Sequence, residues 1–184
     1  SLLFASTFAW AQKPFSFTIN GEITKYTKPY IYLHHKWDDK DFTDSIKVKS
    51  GKFTFTGTSP EANMYWFTDQ NVLASQPNFV FFVDPGKISV KLKGDSLFAS
   101  KADGGQTQKD NLEYNQMINV FVVRQGALQN EYNIASQQPN NTEQLNNVNN
   151  KYQTLNSEYI QSLKDFCKAH PKSAISGWVI YRDL

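Results

Sequence analysis

Near the end of the chain the run FCKAHPKSAISG carries its single cysteine, Cys167, with His170 three residues later. On a helix that spacing puts both side chains on one face, where an imidazole could serve as base to a thiol. A working thiolate also needs a depressed pKa, access to solvent and a group that orients the histidine. Lys168 supplies a nearby positive charge, but no orienting group is evident and no C-x-x-C is present. The structural reading is simpler. His170 closes a helix, where its charge suits the dipole, and Cys167 is a small apolar filler. That reading is preferred, and no catalytic residue is assigned.

Two further groups could do chemistry. HHKWDDKDFTD gathers His34, His35, Asp38, Asp39, Asp41 and Asp44, nitrogen and oxygen donors suited to a divalent metal. A small metal-dependent hydrolase would have to use them. Their spacing matches no calcium loop, and His34 and His35 point to opposite faces if they lie on a strand. The segment reads as a solvated loop, and neither metal nor cofactor is assigned. Trp37, Tyr65 and Trp66 could form an aromatic platform for a sugar. Tyr65 and Trp66 are adjacent, so one should face the core while the other is exposed, as at a binding surface. GGQTQKD reads as a helix start after a glycine turn rather than a phosphate loop.

These residues must be positioned by a chain of 184 residues with a formal net charge of +2. A charge so small and so dispersed excludes a nucleic-acid footprint. The opening SLLFASTFAWAQ has an apolar run followed by Ala9-Trp10-Ala11, the small-x-small pattern of a signal-peptide cleavage site. The mature chain is expected to start near Gln12 and to be exported. No stretch is long enough to span a bilayer. One cysteine leaves no internal disulfide, so an apolar core must hold the fold alone.

From Phe15 to about Ala102 the period is two. In DSIKVKSGKFTFTG, a Ser50-Gly51 hairpin turn places Val48 opposite Phe53 and Ile46 opposite Phe55, with Lys47, Lys49, Lys52 and Thr54 on the other face. In FVFFVDPGKISVKL, a turn at Asp84–Lys87 sets Val83, Phe81 and Phe79 against Ile88, Val90 and Leu92. Seven or eight short antiparallel strands indicate a β-sandwich or partly open barrel. After Gly104-Gly105 the period becomes helical. One stripe runs from Tyr114 to Ala135 and another from Leu145 to Phe166. Pro139 breaks the first helix, and Asn141 or Thr142 can cap the second by accepting a backbone N–H. Pro171 ends the second at His170, and Ser173 caps a short third. The fold class is therefore α+β: a β-sandwich, an antiparallel helical hairpin and a short final helix.

Taken in order, Gly21-Glu22-Ile23, Asp44-Ser45-Ile46 through Gly57, Asp84-Pro85-Gly86, Gly104-Gly105 and Phe166 with His170-Pro171-Lys172-Ser173 form a set. It resembles the N-terminal domain of unknown function of exported thioredoxin-like thiol-disulfide oxidoreductases of Gram-negative bacteria. The resemblance implies a signal remnant (1–11), a β-sandwich (12–103) and a helical segment (104–184) leading into a thioredoxin-like domain with its own C-x-x-C. The redox cysteines of that family belong to the later domain, so none is carried over to this chain. The implied role is a non-catalytic module that binds or positions a partner or substrate. The alternative is a carbohydrate-binding or surface-adhesion sandwich using Trp37, Tyr65 or Trp66. Ile175, Trp178, Val179 and Ile180 cluster within two turns of the last helix. They are expected to form an apolar patch that docks on the following domain or on a second copy.

Overall fold

Alternating residues bury one face of a strand, and the computed structural model, which describes residues 13–72 and 79–184, turns the alternating half into two layers. Eight strands lie among the described residues: β1 Phe15–Thr24, β2 Tyr30–Trp37, β3 Lys40–Lys47, β4 Lys52–Ser59, β5 Asn63–Thr68, β6 Val80–Val83, β7 Gly86–Lys93 and β8 Lys101–Asp103. They form two four-stranded sheets, ordered β4-β1-β7-β8 and β3-β2-β5-β6. Three helices follow, α1 Gln106–Ser136, α2 Thr142–Ala169 and α3 Ala174–Asp183. The fold is α+β, with no closed barrel among the described residues. The segment read as a signal remnant lies outside the described residues.

The sandwich core draws on both sheets. Phe17, Ile19 and Ile88 of one sheet and Ile31, Leu33, Phe67 and Phe81 of the other are fully buried. Phe17 meets Tyr65 edge-on at 5.4 Å between ring centroids, and Phe53 meets Phe67 at the same distance. Each side chain of this kind contributes about 1.5–3 kcal/mol when withdrawn from water. Gly21 belongs to the same packing. It pairs with Phe53 across the β1–β4 ladder, whose ring lies where a Cβ at position 21 would stand, 1.9 Å away.

Both expected hairpins are corrected in their pairing, though not in their faces. Ser50 and Gly51 have φ of 50° and 73°, and Lys49 and Lys52 exchange backbone hydrogen bonds of 2.9 and 3.0 Å, a two-residue turn as read. Beyond that bridge the strands part. β3 joins β2, setting Ile46 against Ile31, and β4 joins β1, setting Phe55 against Ile19. The Asp84-Pro85-Gly86 turn likewise carries the chain between sheets: β6 pairs with β5, while β7 runs parallel to β1. Phe79, Phe81, Val83, Ile88, Val90 and Leu92 are all buried in one core as expected, but β6 and β7 lie in different sheets rather than on one ladder.

Conversely, HHKWDDKDFTD is not a loop. It is a hairpin, β2–β3, turned at Asp38 and Asp39 with φ of 49° and 57°. Aspartate tolerates this left-handed region, so the turn forms without the glycine that would have announced it.

The chain divides into two compact units, Ser1–Gln108 and Lys109–Leu184. In the second, contacts pair Tyr114 with Phe166, Phe121 with Tyr159, Arg124 with Glu158, and Glu131 with Lys151. Partner numbers fall along α2 as they rise along α1, the signature of an antiparallel pair. Asn141 is the α2 N-cap residue, but its side chain donates to the Ser136 carbonyl at 3.3 Å instead of accepting from the helix. Ser173 caps α3 as read, accepting from the Ile175 N–H at 3.2 Å. No helix among the described residues is long and apolar enough to cross a membrane.

Candidate functional site

Strand β2 presents its two histidines to opposite faces because successive strand residues alternate. His34 is fully buried and stacks on Trp66 at 5.8 Å. Its tautomer follows from its partners. The Thr68 hydroxyl donates its one proton to the Gln70 carbonyl at 2.5 Å, so its oxygen must accept from His34 Nε2 at 2.6 Å. His34 Nδ1 then accepts from the Thr43 hydroxyl at 2.8 Å. His35 lies between the Phe42 ring at 4.9 Å and the Tyr65 ring at 4.5 Å. Its Nδ1 is buried with no partner among the described residues. Burial lowers the pKa of both imidazoles, partly offset by Asp41 at His34 and Asp44 at His35. Burial also pushes the Tyr65 phenol up to about 12. Among the described residues no three metal-capable side chains converge. Each histidine is committed to a ring stack inside the sheet.

The helix start after Gly104-Gly105 has the orphan N–H groups that bind phosphate elsewhere, but an internal carboxylate already occupies it. Asp84 accepts from the Thr107 N–H at 2.8 Å and from the Thr107 hydroxyl at 2.7 Å, both buried. Gln108 Oε1 accepts the Phe82 N–H at 3.0 Å. Gly105, at φ +81°, leaves room for Asp84, whose Oδ2 would lie 2.2 Å from a Cβ there. The Asp-Pro-Gly and Gly-Gly motifs, 20 residues apart in sequence, are thus one structural device.

In the second unit, Cys167 and His170 do not address each other. The Cys167 thiol points at the Ser176 carbonyl, 3.7 Å away. His170 stacks on Phe166 at 4.5 Å, and its two ring nitrogens reach Asp110 and Glu113, each at 3.2 Å. The histidine does have orienting carboxylates, which the sequence reading missed because they lie some sixty residues away on α1. They tie the end of α2 to α1. The His170 carbonyl in turn accepts from the Ser176 hydroxyl at 2.7 Å, fixing α3.

The patch expected on α3 divides in two. Ile175 and Val179, at i and i+4, face inward and are buried; this corrects the reading of the whole run as exposed. Trp178, Ile180, Tyr181 and Leu184 stay exposed, Tyr181 at 91%. The Arg182 guanidinium lies 3.6 Å over the Trp178 ring and donates to the Tyr114 hydroxyl at 2.9 Å. Tyr114 meets Trp178 edge-on at 6.0 Å. Burial raises the Tyr114 pKa, against the opposing field of Arg182.

The three rings read as a sugar platform do not form one. Trp37 is at the surface, but Tyr65 and Trp66 are both buried, on opposite faces of β5. Alternation sends one of the two to the core, and the structure makes it Tyr65. Alternation could not register that Trp66 stacks on the buried His34 ring on the other face, where Trp66 Nε1 has no partner among the described residues.

A family model described as a domain of unknown function (DUF4369) matches residues 17–111. No curated protein and no solved structure matches the chain.

Proposed function

We propose, from the premise that this chain belongs to the family described as a domain of unknown function (DUF4369), that it is the non-catalytic, exported module of a thiol-disulfide oxidoreductase-like protein. It positions a partner or substrate for a thioredoxin-like domain that these 184 residues do not include. The docking surface is the outer side of α3. The observation that carries this reading is the chemistry of that surface: an exposed tryptophan braced by Arg182 and Tyr114, flanked by exposed Ile180, Tyr181 and Leu184. Tryptophan, tyrosine and arginine are the residues that dominate binding hot spots, and aliphatic neighbours exclude water around them. The lone Cys167, turned toward a backbone carbonyl, fits a module without its own redox chemistry. The SLLFASTFAWAQ segment supports export to the periplasm or cell envelope.

The test is titration of the chain with an isolated thioredoxin-like domain carrying C-x-x-C, followed by calorimetry. Saturable binding is expected, weakened about tenfold or more by Trp178→Ala, a typical hot-spot loss. The chain alone should not reduce insulin. Absence of binding, or binding indifferent to Trp178→Ala, would remove α3 as the docking surface. Turnover by the chain alone would end the non-catalytic reading.

A further inference from the structure

The far half of the helix pair has a thin core. Between Val120 and Ser136 on α1 and between Thr142 and Glu158 on α2, the buried apolar residues are Leu128, Ala135, Val148 and Leu155. Meanwhile Val120, Val123 and Ile134 remain 55%, 64% and 63% exposed. With Ala127 they recur at helical spacing and line one side of α1. Beside this stripe the two helices leave an open depression of about 420 Å³, floored by Ala127, Leu128, Thr154 and Leu155. Two ion pairs bracket it: Arg124 with Glu158 at 2.5 Å, and Glu131 with Lys151 at 2.6 Å. Charge therefore alternates along each helix, Arg124 then Glu131 on α1, Lys151 then Glu158 on α2.

We propose that this face pairs with the same face of a second copy, the two α1 helices running antiparallel across a two-fold axis at Ala127. Such a charge pattern is self-complementary. The rotation sets Arg124 opposite Glu131 of the second copy and Lys151 opposite Glu158. It also lays Val120 beside Ile134 of the second copy, and the small Ala127 at the crossing lets the backbones approach. Laying α1 over α2 of the second copy would also match the charges. That arrangement puts the apolar stripe on Asn147, Asn150 and Thr154 and leaves valines against amides, so the α1–α1 arrangement is the one that removes apolar surface from water. The result is a four-helix arrangement in which each hairpin completes the core of the other. The face is modest in size, so association is weak and concentration-dependent. It uses neither α3 nor its partner.

Sedimentation velocity on the full chain over a hundredfold dilution tests this. A monomer–dimer equilibrium is expected, and Val120→Glu should weaken it about tenfold or more with helix content by circular dichroism unchanged. Arg124→Glu should weaken it too. The double exchange R124E/E131R should restore it, although within each monomer that exchange sets like charges together at both ion pairs. A strict monomer at every concentration would overturn the proposal. So would a dimer insensitive to Val120→Glu but lost in Trp178→Ala, which places the contact on α3. Failure of the double exchange to restore association would overturn the two-fold register.

Discussion

Replacing Asp84 tests whether one carboxylate joins the sandwich to the first turn of α1. Asp84→Ala removes two hydrogen bonds, of 2.8 and 2.7 Å, to Thr107, and leaves the Thr107 N–H buried without its acceptor. A hydrogen bond to a charged group is worth about 1.5–3 kcal/mol, and an orphaned buried donor costs about 1–3 kcal/mol. A carboxylate at a helix N-terminus adds about 0.3–1 kcal/mol. These terms overlap, and about 3 kcal/mol in total is a fair expectation. Asp84→Asn keeps an acceptor for the N–H and turns its amide toward the Thr107 hydroxyl, which can accept. It loses the charge alone and should cost about 1–1.5 kcal/mol. Gly105→Ala should be at least as damaging as Asp84→Ala, because its Cβ would stand 2.2 Å from the Asp84 oxygen at a φ of +81°. Denaturant melts of the full chain give the ranking. Amide exchange gives the local effect: the Thr107 N–H should lose about a hundredfold in protection in Asp84→Ala, since each 1.4 kcal/mol is tenfold. If Asp84→Ala melts within about 0.5 kcal/mol of the parent, the range of an ordinary surface change, or if Asn is as harmful as Ala, the Asp84 carboxylate does not hold the helix start.

Three further expectations follow from the same geometry. Cys167→Ser should cost less than about 1 kcal/mol in a denaturant melt, because the half-buried thiol makes one weak contact that a hydroxyl can keep. His170→Ala should cost about 2 kcal/mol, since it removes the stack on Phe166 and both carboxylate contacts at the meeting of the three helices; a thermal melt unchanged from the parent would contradict it. Stability should fall as pH drops below about 6.5, the value of a free histidine. His34 and His35 have lowered folded pKa values, so in the window between those values and about 6.5 the unfolded chain binds more protons and stability falls with pH. The contribution is fully present above that window. Melts at pH 7.5 and pH 5.5 measure it, and a double His34→Gln, His35→Gln variant should flatten the dependence.

The strand-then-helix order and most inward faces are written locally, and the sequence alone determined them, although it read the β2–β3 hairpin as a loop. Phe53, Ile46, Phe81 and Val90 could be assigned to the core because period two is a property of consecutive residues. Leu128, Leu155 and Ser173 could be placed because stripes and caps are set within a few residues. The expected division at Gly104-Gly105 coincides with the change from period two to helical spacing for the same reason. Strand partnership is not local. Ile46 and Phe53 flank one turn yet go to different sheets, and β1 pairs parallel with β7 some seventy residues on, because a strand settles where its buried face is best covered, whether or not that is beside its neighbour in sequence. The chemistry of the candidate residues was decided at this tertiary level. Trp66 went from platform to buried ring because the strand pairing stacks it on His34 of β2. His170 acquired Asp110 and Glu113 because α2 runs back along α1 and ends beside its first turns. Asp84 found the helix start it caps because the turn at Pro85 and the glycines before α1 meet in space. A side chain's type and its immediate neighbours fix what it can do. Which group it meets, and how much water it keeps, depends on segments tens of residues away.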